Sequence, residues 1–148
     1  MIKKITVMIL VVCTLLLSAL GAYALYYPNS FYDSISWTWQ YSDTYTSSYN
    51  CLGYATGSMT WEWPWGSSNP TSSQVNSYLG SKGYSTSGSW AYILSYGSSS
   101  GITHFSKVTG DSWCRAKWGS LERFNHGSWS PYYSSSTYGP LVQVYYMN

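Results

Sequence analysis

Hydrophobic and polar positions alternate over short segments in the C-terminal half of the chain. Residues 102–108 show this alternation, and three further short segments, 91–96, 112–118 and 141–146, lie between turns or near the C-terminus. Turns rich in glycine, serine and aspartate separate the first three segments. A period of two, bounded by such turns, is typical of β-strands. The pattern therefore predicts an antiparallel sheet.

Two earlier segments carry helix signals. Residues 49–57 follow two serines suited to the N-cap position and end at a glycine. Residues 69–80 open with Asn-Pro-Thr and place Val75, Tyr78 and Leu79 on one face at helical spacing. We expect a helix in each segment.

The predicted order is helices first and strands afterwards. Segment 25–48 is aromatic and polar without a helical period, and it predicts an extended arm with one strand near 35–40. Pro64 removes a ladder donor from the indole-rich run 61–66, which is expected to form a loop. This order favours an α+β domain, with N-terminal helices packed on a C-terminal antiparallel sheet.

The first residues have the composition of an export signal. Two lysines precede an apolar run over 5–20, and Ala22 and Ala24 are small residues two apart, as a signal peptidase requires. We expect a signal peptide over 1–24, cleavage after Ala24, and a secreted single domain over 25–148. The apolar run is shorter than the roughly 20 residues that a spanning helix needs, so no membrane association is expected after cleavage.

Charge and composition narrow the choice of partners. The formal net charge is +2, and removal of the two leader lysines balances acidic and basic residues. Lys107, Arg115 and Lys117 form a mild basic cluster that a solvated sheet face explains, so nucleic acid is not an expected partner. Aromatic residues make up 20% of the chain, which indicates an ordered domain suited to peptides or glycans. We expect this domain to be a monomer.

Few side chains of the mature chain are suited to covalent chemistry. They are Cys51, Cys114, His104 and His126. A helix N-terminus and an imidazole partner lower the pKa of a thiol, and the thiolate is the attacking species. Cys51 lies at a predicted helix start and His104 on a predicted strand, so they form a candidate nucleophile and base. Backbone N–H groups at the helix start are suited to hold an oxyanion.

Two segments resemble a known family. Tyr-Asn-Cys-Leu-Gly-Tyr at 49–54 and Thr-His-Phe-Ser-Lys-Val at 103–108, followed by a Gly-Asp turn, are similar to the Cys and His segments of NlpC-type papain-like cysteine peptidases and amidases. The resemblance implies a papain-like fold and cleavage of amide bonds in peptides, commonly of the cell wall, without a cofactor. It gives Cys51 the role of nucleophile and His104 that of general base and then acid.

A third polar residue orients the histidine in that family. Counting along the hairpin puts this place near Ala116, whose side chain cannot accept a hydrogen bond. The candidates for the role are then Asn125, His126 and Glu122.

Residues around Cys51 are candidates for substrate binding. Tyr49 and Asn50 precede it directly, and the following loop displays or buries three indoles. These are Trp61, Trp63 and Trp65. Tryptophans in small domains are also common core residues.

A disulfide is the main alternative for the cysteines. An exported chain with two mature cysteines permits a Cys51–Cys114 bridge, which removes the nucleophile. The alternative function is then a non-enzymatic, aromatic-rich module that binds glycan or peptide. No metal site is expected, because the Cys and His residues lack the short spacing of zinc ligands.

Overall fold

The computed structural model describes residues 25–147, which form a seven-stranded antiparallel sheet and three short helices. The helices are α1 (Asn29–Asp33), α2 (Cys51–Thr56) and α3 (Ser72–Ser81). The strands are β1 (Gln40–Asp43), β2 (Tyr84–Ser85), β3 (Ala91–Ser98), β4 (Gly101–Gly110), β5 (Trp113–Lys117), β6 (Arg123–His126) and β7 (Leu141–Met147). The predicted signal peptide lies outside the described residues. Within 25–147, no helix has the length and apolar character needed to cross a membrane.

The expected fold class, N-terminal helices packed on a C-terminal antiparallel sheet in a papain-like arrangement, is wrong. The sheet dominates the domain, and the three described helices have only 5, 6 and 10 residues. The strand order is β1-β6-β5-β4-β3-β7-β2, so an N-terminal strand forms one edge beside β6. The physical reason is the wealth of aromatic residues and the scarcity of long helical runs, which favour strands.

Each face of the sheet carries an apolar cluster. Ile93 and Leu94 are neighbours on β3 and belong to different clusters, because successive side chains of a strand point to opposite faces. The α2 face holds Cys51, Leu52, Ala55, Val75, Leu79, Tyr84, Ile93, Ile102, Phe105 and Tyr145. The Tyr132 face holds Tyr32, Ile35, Leu94, Tyr96, Cys114, Ala116, Trp118, Phe124 and Tyr132.

Helix α2 begins after Asn50 rather than after the serines that precede it. The Asn50 side chain accepts a hydrogen bond of 3.0 Å from the Gly53 N–H, and Gly57 ends the helix in the left-handed conformation at φ 83°. A Cβ atom on Gly53 would lie 1.8 Å from the Thr60 carbonyl oxygen. The glycine therefore lets the loop after α2 fold back against the helix.

Strand β5 ends early beside β4. Lys107 pairs with Arg115 and Val108 with Cys114, and β5 ends two residues after Arg115, at Lys117. The chain then turns through Gly119, whose φ of +57° favours glycine. The β4 residues 101–104 consequently lie beyond the end of β5.

Candidate functional site

Asn50 fixes the start of α2 to the tryptophan-rich loop. Its Nδ2 donates a hydrogen bond of 2.7 Å to the Glu62 carbonyl, and its Oδ1 also accepts a bond of 3.3 Å from the Glu62 N–H. Glu62 itself forms an ion pair of 2.9 Å with Lys82 just beyond α3. One buried amide thus positions the helix start against the loop that faces it.

Cys51 lies in the wall of a surface cavity. The cavity has a volume of about 480 Å³ and its lining residues come from α2, the following loop and the turn after β5. They are Asn50, Cys51, Trp61, Trp63, Gly66 and Gly119. The thiol is therefore the nucleophilic side chain of this cavity.

Burial and hydrogen bonding act in opposite directions on the Cys51 thiol. Burial raises its pKa to about 11. Backbone hydrogen bonds from Phe105, Leu52 and Cys51 itself lower the pKa, and so does the charge of Lys117. Burial outweighs these effects, so the thiol of the free domain is protonated at neutral pH.

Lys117 lies on the α2 face, behind one wall of the cavity. Its side chain is fully buried, and Nζ donates hydrogen bonds to the carbonyls of Gly119, at 2.8 Å, and of Leu121. Burial lowers its pKa to about 8, while the charges of Glu122 and Cys51 raise it. The interpretation of Lys117 as part of a solvated basic face is wrong, because α2 and the turn after β5 cover this end of the sheet.

The predicted substrate-binding residues divide between the cavity and the core. Asn50, Trp61 and Trp63 line the cavity. Trp65 packs instead on Phe105, with ring centroids 6.5 Å apart, and Tyr49 is buried with its ring 5.5 Å from the Lys117 ammonium.

His104 lies on the Tyr132 face of β4. Its Nε2 is 3.1 Å from the Tyr132 hydroxyl, and its ring stacks on Tyr138 with centroids 3.8 Å apart. Burial first, and then the neighbouring His126, lower the pKa of His104 well below its usual value. Within residues 25–147, no hydrogen bond joins His104 to Cys51, which packs on the other face beside Phe105. The structure thus puts Cys51 in the cluster with Phe105 and His104 beside Tyr132 on the other face, and it does not join the two candidate residues directly.

The candidates for the third residue lie in three different places. His126 contacts the Tyr132 hydroxyl through Nε2, at 3.3 Å. Asn125 accepts a hydrogen bond from Arg115 on the other sheet face. Glu122 is buried and accepts a hydrogen bond of 2.7 Å from the Tyr32 hydroxyl. Only His126 is connected to His104, and the connection runs through Tyr132.

The alternative disulfide is not formed. Cys51 and Cys114 are both free and belong to the clusters on opposite faces of the sheet. Cys114 donates a hydrogen bond of 3.2 Å to the Ser128 carbonyl. The sheet itself separates the two sulfurs, which excludes the geometry of a bridge.

Sequence reasoning missed Lys117, Tyr132 and Tyr138. The unusual density of specific side chains over 116–126 was a signal for Lys117, but the tyrosines lie in a serine-rich segment without periodicity. In the part of the chain that the structure describes, no three His, Cys, Asp or Glu side chains form a group suited to a metal ion.

A comparison with known proteins assigns this chain to a family. A family model described as a domain of unknown function, DUF7689, matches residues 40–146. The chain belongs to the DUF7689 family. No curated protein and no solved structure matches it. The DUF7689 match runs from the first residue of β1 into β7 and includes Cys51, His104 and His126.

Proposed function

We propose that this DUF7689 domain is a cysteine hydrolase that cleaves amide bonds in peptides, with Cys51 as nucleophile and His104 as proton acceptor. The position of the Cys51 thiol carries the proposal. It lies in the wall of a cavity of about 480 Å³, at the start of α2. Backbone hydrogen bonds from Phe105 and Leu52 lower the pKa of the sulfur and so support its thiolate form.

The reaction has two steps. In this proposal the sulfur forms a bond to the amide carbonyl carbon and the thiol proton passes to His104, to which no hydrogen bond joins Cys51 in residues 25–147. The C–N bond then breaks, and the imidazolium returns the proton to the leaving amine. A water molecule hydrolyses the thioester, which releases the carboxylic acid and restores the thiol.

Lys117 supports the charged form of the nucleophile. Its charge lowers the pKa of Cys51, and its Nζ is held by the Gly119 carbonyl behind the cavity wall. An ammonium with a pKa of about 8 is mostly charged at neutral pH. It therefore stabilises the thiolate at the moment of attack.

The cavity favours neutral, extended substrates. Two indoles, Trp61 and Trp63, form its walls, and the lining residues carry no ionised side chain at neutral pH. Peptides, including cell-wall peptides outside the cell, fit this chemistry, and secretion after cleavage at Ala24 remains part of the proposal.

A binding module without enzymatic activity is the second candidate function. The raised pKa of Cys51 favours it, because a buried protonated thiol is a poor nucleophile. Trp61 is 55% exposed and offers an indole face to a sugar ring or a peptide side chain. In this case Trp61 and Trp63 carry affinity, and Cys51 is a core residue.

An activity-directed probe separates the two functions. We would incubate the domain with peptidyl acyloxymethyl ketones and with a panel of synthetic peptides, and measure adducts and new amino termini by mass spectrometry. If the domain is a hydrolase, the ketone should form an adduct on Cys51, and Cys51→Ala should abolish peptide hydrolysis. The matched variant Cys114→Ala should keep both. Hydrolysis that survives Cys51→Ala, or an adduct on Cys114 alone, overturns the proposal.

A further inference from the structure

Two buried histidines are linked through one tyrosine hydroxyl. The Tyr132 oxygen is 3.1 Å from His104 Nε2 and 3.3 Å from His126 Nε2. On its other side, His126 Nδ1 lies 2.5 Å from the Thr38 carbonyl oxygen. All three side chains are at most 4% exposed, so bulk water has little access to this chain of contacts.

The Thr38 carbonyl determines where the protons lie. A carbonyl oxygen only accepts, so His126 Nδ1 must carry the proton of that bond. The Ser36 hydroxyl, 3.5 Å from Nδ1, does not replace this donor, because its one proton goes to the carbonyl of Thr38, at 2.6 Å, or to that of Pro131, at 2.9 Å. A neutral His126 with a proton on Nδ1 has a lone pair on Nε2.

The remaining protons follow from that lone pair. Tyr132 has a single hydroxyl proton, which it donates to His126 Nε2. The Tyr132 oxygen then accepts from His104, whose Nε2 must carry a proton. A neutral imidazole has one N–H, so His104 Nδ1 is left with its lone pair.

We propose that Tyr132 and His126 fix His104 as the Nε2–H tautomer and so keep Nδ1 available as a proton acceptor. Tyr132 is then a positioning residue, and His126 acts through it. Tyr132 takes the role of orienting His104, for which the sequence candidates were Asn125, His126 and Glu122. We call the contacts from His126 through Tyr132 to His104 the relay. Its catalytic role rests on the proposed function, whereas the assignment of the tautomers is independent of that function.

Ring packing holds the same arrangement. Tyr138 stacks on the His104 ring with an interplanar angle of 13°, and Tyr132 meets that ring edge-on at 80°. Trp118 stacks on His126 at 9°. These contacts oppose rotation of either imidazole about its Cβ–Cγ bond, which would put Cε1 in place of Nε2 at the Tyr132 hydroxyl.

Nitrogen NMR tests the proposal on the unmodified domain. The sequence has two histidines, so long-range ¹H–¹⁵N spectra show two imidazoles, and His104→Gln assigns them. We expect His104 to be protonated on Nε2 and His126 on Nδ1 at neutral pH. His104 protonated on Nδ1, or His126 on Nε2, overturns the proposal.

A pair of tyrosine variants tests the positioning role. Tyr132→Phe removes the hydroxyl, so His104 should populate both tautomers, and hydrolysis should fall by roughly 10²-fold with a changed pH profile. Tyr133→Phe, at the exposed neighbouring position, should leave tautomers and rate unchanged. A single Nε2–H tautomer retained in folded Tyr132→Phe contradicts the relay. If the tautomers are as expected but hydrolysis survives Cys51→Ala, the relay is supported and the proposed hydrolase is rejected.

Discussion

Lys117 donates a hydrogen bond of 2.8 Å to the carbonyl of Gly119, which lines the same cavity as Cys51, so a buried ammonium is held next to the cavity wall. In residues 25–147, the ion pairs are Lys82 with Glu62 and Arg123 with Asp43, and Lys117 belongs to neither. Burial of an ammonium without a carboxylate at salt-bridge distance is unfavourable for stability. Its charge lowers the pKa of the Cys51 thiol, which gives this unfavourable burial a functional reason.

Lys117→Met should raise the pKa of the Cys51 thiol, because it removes the charge that lowers it. At a fixed pH near 8, iodoacetamide should label Cys51 several-fold more slowly than in the wild type, because a thiol pKa that is higher by roughly half to one unit leaves several-fold less thiolate. Lys107→Met, at a half-buried position on the neighbouring strand, is the control. Equal labelling rates for all three proteins would show that Lys117 does not act on the thiol.

Two helical glycines should respond to alanine in opposite directions. Gly53→Ala places a Cβ 1.8 Å from the Thr60 carbonyl oxygen and should destabilise the fold by about 1–3 kcal/mol or more. A Cβ at Gly80 in α3 meets no atom within 4 Å, so Gly80→Ala should stabilise by about 0.5–1 kcal/mol. The free energies of unfolding in urea check both values. A Gly53→Ala protein as stable as the wild type contradicts the close approach of the loop.

Asn50→Ala should both destabilise α2 and release the tryptophan-rich loop. It removes the cap on Gly53 and both hydrogen bonds to the Glu62 backbone, for a loss of about 1–3 kcal/mol. Ser47→Ala, at an exposed position, should change stability by less than about 0.5 kcal/mol. Urea unfolding curves measure the losses, and tryptophan fluorescence reports the loop. Equal stability of the two variants would refute the role of Asn50.

Protonation of His126 should destabilise the domain at acidic pH. Burial lowers its pKa from 6.5 to about 4, so the unfolded chain binds more protons than the folded one between these values. The stabilisation is complete above about pH 6.5 and is lost as the pH falls through 4, for a total of about 3 kcal/mol. His104 shifts in the same direction. The other titratable groups packed around the two histidines have raised pKa values and stay neutral in this range; they are Tyr96, Cys114, Tyr132 and Tyr138.

Stability measured from pH 7 to pH 4 checks this sign. His126→Gln should reduce the slope of the free energy of unfolding against pH, whatever its effect at pH 7. An unchanged slope in His126→Gln would show that His126 is not buried in its neutral form.

The sequence predicted local elements better than their assembly. Helix α3 follows its signals, since Thr71 and Gln74 form a capping box and Val75 and Leu79 are buried. Strand β4 matches the alternation within a few residues. Strand β1 was expected near 35–40 and lies at Gln40–Asp43, because its position depends on pairing with β6, which is distant in sequence.

The site was predicted in part. Cys51 at the start of a helix followed from local signals around residues 49–57, although the cap is Asn50. The burial of Lys117 and the contact of Tyr132 with both histidines depend on which strands pair and on where β5 ends. A single sequence contains no local pattern for such contacts, so they were not predicted.

The rate of alkylation at each cysteine tests whether Cys51 is an accessible thiol that His104 activates. We would label the folded domain with iodoacetamide from pH 6 to pH 11 and follow each thiol by peptide mass spectrometry, with Cys114→Ala as the matched control. Because Cys51 lines the cavity and Cys114 is fully buried, Cys51 should be labelled first, and faster in the wild type than in His104→Gln. Three results would contradict the proposed roles of Cys51 and His104: labelling of Cys114 first, protection of Cys51 until the domain unfolds, or the same Cys51 labelling rate in His104→Gln as in the wild type.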